Sequence, residues 1–246
     1  MTVRVESGGP GGAVLLLTLD RPSRRNAVDH ATLLELLAIQ ASDTMGQARV
    51  VVLTGAPPAF SAGADLTGVE QGQFTADLSA VLRGFGHLGV PVVVAIDGPA
   101  LGAGAQLAAA ADLRIATPDS VIGVPAAKLG LVVDHWTVRR FADEFSPPVA
   151  RAMLVAAETY TAARLHEIGA IHRLGDLNDA LRWADQLAAL APLTIAGHKL
   201  ALEHRSDEPP LVELVETARA AAWDSNDAVE GRTAFLEKRP AQFSGN

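Results

Sequence analysis

Residues 91–136 read PVVVAIDGPALGAGAQLAAAADLRIATPDSVIGVPAAKLGLVVDHW. Val92, Val93 and Val94, with Ile96 behind them, make a β-favouring run. A Gly98-Pro99 turn follows, and then Gly102-Ala103-Gly104-Ala105-Gln106, where glycine or alanine fills four of the five positions. Such small residues let the backbone itself approach a ligand. If a helix starts here, its first amide N–H groups lack intrahelical partners and are free to hold developing negative charge. The same letters also suit a tightly packed strand–turn–helix with no ligand, so the stretch alone leaves both readings open.

Around this centre the chain reads as a mixed α/β protein. Ala13–Leu19 is a buried strand closed by Asp20-Arg21-Pro22, and Asp29 caps a helix carrying Leu33, Leu34, Leu36 and Leu37. Arg49–Leu53 is a second strand. The segment APPAFSAGADLTG that follows has the composition of a loop where backbone meets ligand. Phe74–Leu88 has amphipathic helical spacing, with Leu78, Val81, Leu82 and Phe85 on one side. The central stretch then supplies a strand, a helix to Ala111 and a short strand Leu113–Ala116. Helices are expected over Thr137–Phe145, Pro148–Ala157, Ala162–Ile168 and Leu177–Leu190, with a short strand Ala170–Leu174 among them. From Pro192 to Lys238 the periodicity is helical only, interrupted at Asp207-Glu208-Pro209-Pro210. That change of texture divides the chain into a core of residues 1–190 and a helical region of residues 191–246.

Composition bounds the function. The chain has 246 residues and a net charge of −8, which argues against a nucleic-acid surface, so a polyanionic ligand needs a local basic cluster. It has no cysteine, which excludes disulfides, thiol catalysis and cysteine-type zinc sites. The start MTVRVESGGPGG lacks the blocks of a signal peptide, and no apolar run is of membrane-spanning length. A soluble cytoplasmic protein, with no membrane and no nucleic-acid partner, is the expectation. The P-loop pattern is absent, Leu107 stands where a dinucleotide fingerprint wants glycine, and Ser61 in AFSAG lacks the first glycine of a nucleophile elbow. The seven histidines include no H-E-x-x-H pair, and no metal site is expected.

Two stretches are more specific together than apart. Phe60-Ser61-Ala62-Gly63-Ala64-Asp65-Leu66, followed by Ile96-Asp97-Gly98-Pro99-Ala100-Leu101-Gly102-Ala103-Gly104, resembles the enoyl-CoA hydratase/isomerase (crotonase) family. RPSRRNAV, ADLRIAT and FLEKRPAQF lie in the matching order, so the likeness spans nearly the whole chain. It implies an α/β fold, a crotonase-like spiral of ββα units with two sheets, followed by a C-terminal helical trimerisation region. It also implies a homotrimer or hexamer.

The resemblance implies a thioester enolate held by two backbone N–H groups, which fall at Ala64 and Ala103. Donors fixed before reaction cost no reorganisation as charge develops. Because they are main-chain groups, alanine serves at 103 where the family often has glycine. CoA recognition maps to Arg24, Arg25 and Ala27, and to Ala62, Asp65 and Leu66 at the adenine and pantetheine end. Arg24 and Arg25 supply the positive charge that the acidic chain lacks overall. Pro125 and Ala126 belong with the ligand-binding residues, and Phe235 and Lys238 resemble C-terminal residues that close over CoA, often from a neighbouring subunit. No separate cofactor is implied, since coenzyme A is part of the substrate.

The departures concern the reaction. Hydratases of the family use two glutamates, at positions that here read Gln106 and Ala126. A neutral amide has no useful basicity and alanine has none, so efficient hydration is not expected. The nearest acid is Asp134, where some isomerases and a dehalogenase of the family place a carboxylate. Leu131, Val132 and Val133 are expected to raise its pKa and make it a better base. Alternatively, Asp134 caps the helix beginning at His135. Three functions remain open: an isomerase or related lyase using Ala64, Ala103 and Asp134; a non-catalytic acyl-CoA binder or carrier; and a weak hydratase with water held by Gln106 and Asp134.

Overall fold

The computed structural model describes residues 1–65, 67, 71–203 and 209–246. The chain opens with an antiparallel pair, β1 (Val3–Gly8) and β2 (Val14–Leu19), before helices α1 (His30–Gln40) and α2 (Asp43–Gln47). Strand β3 (Val50–Gly55) leads across the loop to α3 (Gln71–His87) and β4 (Val92–Ile96). Next come β5 (Ala100–Leu101), α4 (Ala103–Ala110), β6 (Leu113–Ala116) and β7 (Val121–Gly123). Helices α5 (His135–Glu144) and α6 (Pro147–Val155), strand β8 (Thr159–Thr161), α7 (Ala162–Glu167), β9 (Arg173–Leu174) and α8 (Leu177–Ala188) follow. The chain ends in α9 (Pro192–Glu203), α10 (Pro209–Trp223) and α11 (Asn226–Glu237).

Two sheets organise these elements. One runs β1-β2-β3-β4-β6-β9, parallel from β2 onward, and the other runs β5-β7-β8. The strands β3 and β4 are valine-rich and buried in all but Gly55, as expected where helices cover both faces of a parallel sheet. On one face Leu53, Val92 and Val94 pack with α3 residues Val81, Leu82 and Phe85 and with α4 residues Leu107 and Ala108. On the other, Val50, Val52, Val93 and Ile115 meet Ala180, Trp183 and Ala184 of α8. The small sheet sits where the first layer's α4 begins, and this places the N-terminus of α4 at a junction of the two sheets.

Most expected elements stand where the sequence placed them, and Asp29 caps α1 by accepting from Thr32 N at 2.8 Å. Strands β1, β5, β7 and β8 and the short helix α2 were missed. The expected strand Ala170–Leu174 is reduced to Arg173–Leu174, because the amides of Ala170 and Ile171 instead close α7 by donating to Leu165 O. Of the expected interruption at Asp207–Pro210, residues 207 and 208 lie outside the described residues, and α10 starts at Pro209.

Buried charge ties α9 to the body. Lys199 Nζ donates to Phe85 O (2.8 Å), Val90 O (2.9 Å) and Asp112 Oδ2 (2.7 Å). Arg140 reaches Glu203 at 2.6 Å from α5. Helices α10 and α11 behave differently: Trp223, Phe235 and Leu236 are largely exposed.

Candidate functional site

The site begins with a buried asparagine. Arg25 and Asn26 both hold positive φ (50° and 55°), a conformation that asparagine tolerates better than most side chains. From there the Asn26 amide donates to Ala56 O (2.6 Å) and Ala59 O (2.7 Å), and its oxygen accepts from Arg21 N (2.9 Å). Arg21 pairs with Asp29 (3.0 Å) and Asp65 (3.1 Å) and donates to Ala27 O. The Thr67 side chain bonds to Asp65 and, against its partial desolvation, holds the carboxyl below the usual range together with Thr67 N and Arg21. Neither Asn26 nor Arg21 was singled out from sequence. The signal for Asn26 is its αL tolerance next to a turn.

This frame zips three chain segments side by side. Val28 N donates to Gly63 O and Asp65 N to Val28 O, both at 2.7 Å, and Ala62 N donates to Arg25 O at 2.9 Å. Ser61 N donates to Pro99 O (3.0 Å), and Leu101 N to Ser61 O (2.9 Å). Gly63 N bonds to the Ser61 hydroxyl at 3.3 Å. Among the described residues, therefore, Ala64 alone in Ser61–Asp65 has an amide N–H without an acceptor.

The second segment repeats the pattern. Gly102, with φ 53° and ψ −116°, turns the chain into α4 and gives its own N–H to Gly123 O. The first intrahelical acceptor is Gly102 O, taken by Gln106 N at 3.0 Å, so Ala103 N has no acceptor within the helix. Close approach requires the glycines. A Cβ on Gly63 would lie 3.0 Å from Leu101 O and 3.7 Å from Ala103 N, and one on Gly104 would lie 2.6 Å from Ser61 O. Ala64 and Ala103 thus belong to adjacent segments, and both line the same cavity.

That cavity holds about 380 Å³. Its walls are mainly apolar, with Phe74, Leu78 and Leu82 from α3 together with Val124, Pro125 and Ala126. Leu129 and Val132 stand exposed at its rim. Gln106, Thr137, Ser79 and Asp134 supply its side-chain polarity. Thr137 and the α3 residues were not among the expected site residues, because their place in the site depends on packing between distant helices.

Asp134 is the N-cap of α5: Oδ1 accepts from Thr137 N at 2.8 Å and Oδ2 from Ser79 Oγ at 3.3 Å. The expectation of a raised pKa is overturned. Partial burial, the largest single influence, pushes the carboxyl upward, but bonds from Thr137 and Ser79 and the charge of Arg83 together hold it below its ordinary value. The apolar neighbours do not enclose it, since Val132 is 95% and Leu131 39% exposed.

Arg24 and Arg25 are exposed and make no ion pair among the described residues. They neighbour Ala62, which is exposed where the loop meets the cavity, and Ala27. Leu66, expected to bind CoA, and residues 68–70 of the Gly68–Gln73 loop lie outside the described residues. Phe235 and Lys238 are exposed at the end of α11 and do not line the cavity of their own chain. Among the described residues no helix is long and apolar enough to cross a membrane.

The sequence model described as enoyl-CoA hydratase/isomerase matches residues 10–246. The chain is 40% identical over 240 residues to the Mycobacterium tuberculosis protein named "Probable enoyl-CoA hydratase echA6", covering 95% of this chain and 96% of that one. It is 31% identical over 249 residues to the 2,3-dehydroadipyl-CoA hydratase of Escherichia coli K12, covering 94% and 95%. An enoyl-CoA hydratase structure from Bacillus anthracis superposes with a TM-score of 0.89 at 25% identity, over the full length of both chains.

Proposed function

The chain belongs to the enoyl-CoA hydratase/isomerase family, and on that premise we propose that it binds acyl-CoA thioesters through the amides of Ala64 and Ala103. The observation that carries this reading is the pair of N–H groups that have no acceptor among the described residues, on two zipped segments lining an apolar cavity. A thioester oxygen bonded to both gains stabilisation as it acquires negative charge, so an enolate forms more easily there than in water. Arg24 and Arg25, exposed and without an ion pair among the described residues, suit the CoA phosphates, with Ala27, Ala62, Asp65 and Leu66 along the adenine and pantetheine path. Pro125 and Ala126 border the acyl group. Phe235 and Lys238 reach CoA from a neighbouring subunit, in a trimer or hexamer built on the exposed apolar side chains of residues 191–246.

The chemistry beyond binding is limited by the side chains. The Gln106 amide neither takes up nor releases a proton at neutral pH, and Ala126 offers no functional group, so fast hydration is not part of this reading. A second reading, double-bond isomerisation with Asp134 as base, draws on one observation: Asp134 lines the cavity. Its lowered pKa and its capping bonds make it a weak base and favour binding without turnover.

The test incubates the protein with 2-enoyl- and 3-enoyl-CoAs of several lengths, following product formation and measuring affinity by calorimetry. Tight binding without turnover is expected. Isomerisation lost in Asp134→Asn with binding retained would establish the second reading. Fast hydration abolished by Gln106→Ala would sink both.

A further inference from the structure

Gln106 is buried at 8% exposure but lines the cavity. Its amide has two ends, and the structure uses only one. The Thr137 hydroxyl donates to Oε1 at 3.2 Å, and Thr137 is itself fixed because its amide donates to the Asp134 cap. Among the described residues Nε2 makes no hydrogen bond, yet it is not among the fully buried polar atoms that lack a partner. It therefore keeps accessible surface, and the accessible surface beside Gln106 is the cavity. In α4, Gln106 follows Ala103 by three residues, so both stand on the same face, one turn apart.

We propose that Gln106, oriented by Thr137, presents an N–H donor to the acyl chain one helical turn from the thioester oxygen, and so selects acyl-CoAs bearing an oxygen acceptor at carbon 3. This inference rests on the acyl-CoA reading above. In a 3-oxoacyl thioester a single carbon separates the two carbonyl carbons. With its first oxygen on Ala64 N and Ala103 N, a second oxygen two carbons further along the acyl chain comes within the reach of a side chain one helical turn from Ala103. A 3-hydroxyl also accepts this bond, though less well, and a saturated chain leaves the N–H unpaired in an apolar wall. An unpaired buried polar group is costly, so the preference has the size of one hydrogen bond. Thr137 acts as a positioning residue. A hydroxyl that donates to Oε1 keeps the amide from flipping, and without it Gln106 can turn either end to the ligand.

Calorimetric titration of hexanoyl-CoA, 3-hydroxyhexanoyl-CoA and 3-oxohexanoyl-CoA tests this on the full-length protein. The 3-oxo ester is expected to bind roughly three- to tenfold more tightly than the saturated ester. That ratio should fall to about one in Gln106→Leu, and Gln106→Met provides a second variant if the first does not fold. In Thr137→Val the ratio should shrink, and in Thr137→Ser it should return, an outcome that a packing role for the threonine methyl does not produce. Equal affinities in the unaltered protein, or a ratio unmoved by loss of Gln106, would overturn the inference while leaving acyl-CoA binding intact. Preference for the 3-hydroxy over the 3-oxo ester would also overturn it, since the amide must then present its oxygen. Failure of all three esters to bind would instead remove the acyl-CoA reading itself, and this inference with it.

Discussion

The two sides of the cavity are built by different means. On one side the chemistry is main-chain: Ala64 and Ala103 offer amides, held in place mainly by backbone bonds and by close approach over glycine. On the other it is side-chain: Gln106, Thr137, Ser79 and Asp134 are linked by hydrogen bonds of 2.8–3.3 Å. The first side tolerates almost any change of side chain that leaves the backbone in place, and fails when a Cβ intrudes. The second can change its reaction with one substitution while the fold stays as it is. A binding function can therefore be retained where a catalytic function has been altered.

The largest effect should come from deleting one main-chain donor. Ala103→Pro does this at the first position of α4, where proline fits a helix without losing an intrahelical bond. Gly102 already holds φ 53° and ψ −116°, the mirror image of the extended geometry that a residue before proline prefers and which glycine adopts freely. Any turnover that builds charge on the thioester oxygen should fall about 10²–10³-fold, and affinity for a saturated acyl-CoA about tenfold, with far-ultraviolet dichroism unchanged. Wild-type affinity in this variant would mean that Ala103 N does not meet the ligand.

Next in size is Gly104→Ala, which attacks the packing behind the donors. The added carbon would lie 2.6 Å from Ser61 O and 2.7 Å from Ser61 Cβ, and backbone cannot yield cheaply there. Urea unfolding should show a loss of about 1–3 kcal/mol. Gly72→Ala is the control, since a Cβ there meets nothing within 4 Å.

The same division explains what could be read from the sequence. The main-chain side announces itself through spacing, because Gly63, Gly98, Gly102 and Gly104 occur where backbone must approach backbone. The long strands and helices were legible for the usual reason, an apolar pattern with a period. Strands β5 and β9, of two residues each, have too few positions to show any period. Strand β1 was missed because its outer positions are polar and exposed, as an edge strand permits. Asn26 and Arg21 gain their meaning from carbonyls and carboxylates some thirty to forty residues away. Asp134 was legible as a cap but not as an acid of lowered pKa. The apolar letters before it suggested burial, whereas Val132 points to solvent.

The cap on the side-chain wall should be worth less than either backbone change. Asp134→Ala removes the acceptor of Thr137 N and should cost about 1 kcal/mol in urea unfolding, and Asp134→Asn, which still caps, only a few tenths.

The smallest effect, the pH dependence of that last difference, decides between cap and base. A carboxyl whose folded pKa is lowered binds its proton more weakly folded than unfolded, so it adds stability above the unfolded value. That contribution is lost as pH falls through the folded pKa, which here lies below 3.8. The stability advantage of the wild type over Asp134→Asn should thus be level from pH 7 to 5 and shrink on acidification below about 4. Solvent screening of a partly exposed group keeps the change to a fraction of a kcal/mol. A base raised by burial behaves oppositely, because its charged form is the strained one. The wild type would then gain on the variant as pH falls through the raised folded pKa, above the ordinary aspartate range. Urea midpoints of the two proteins measured at half-unit intervals from pH 7 to 3 separate these slopes, and the second slope would restore Asp134 as the proton acceptor of the cavity.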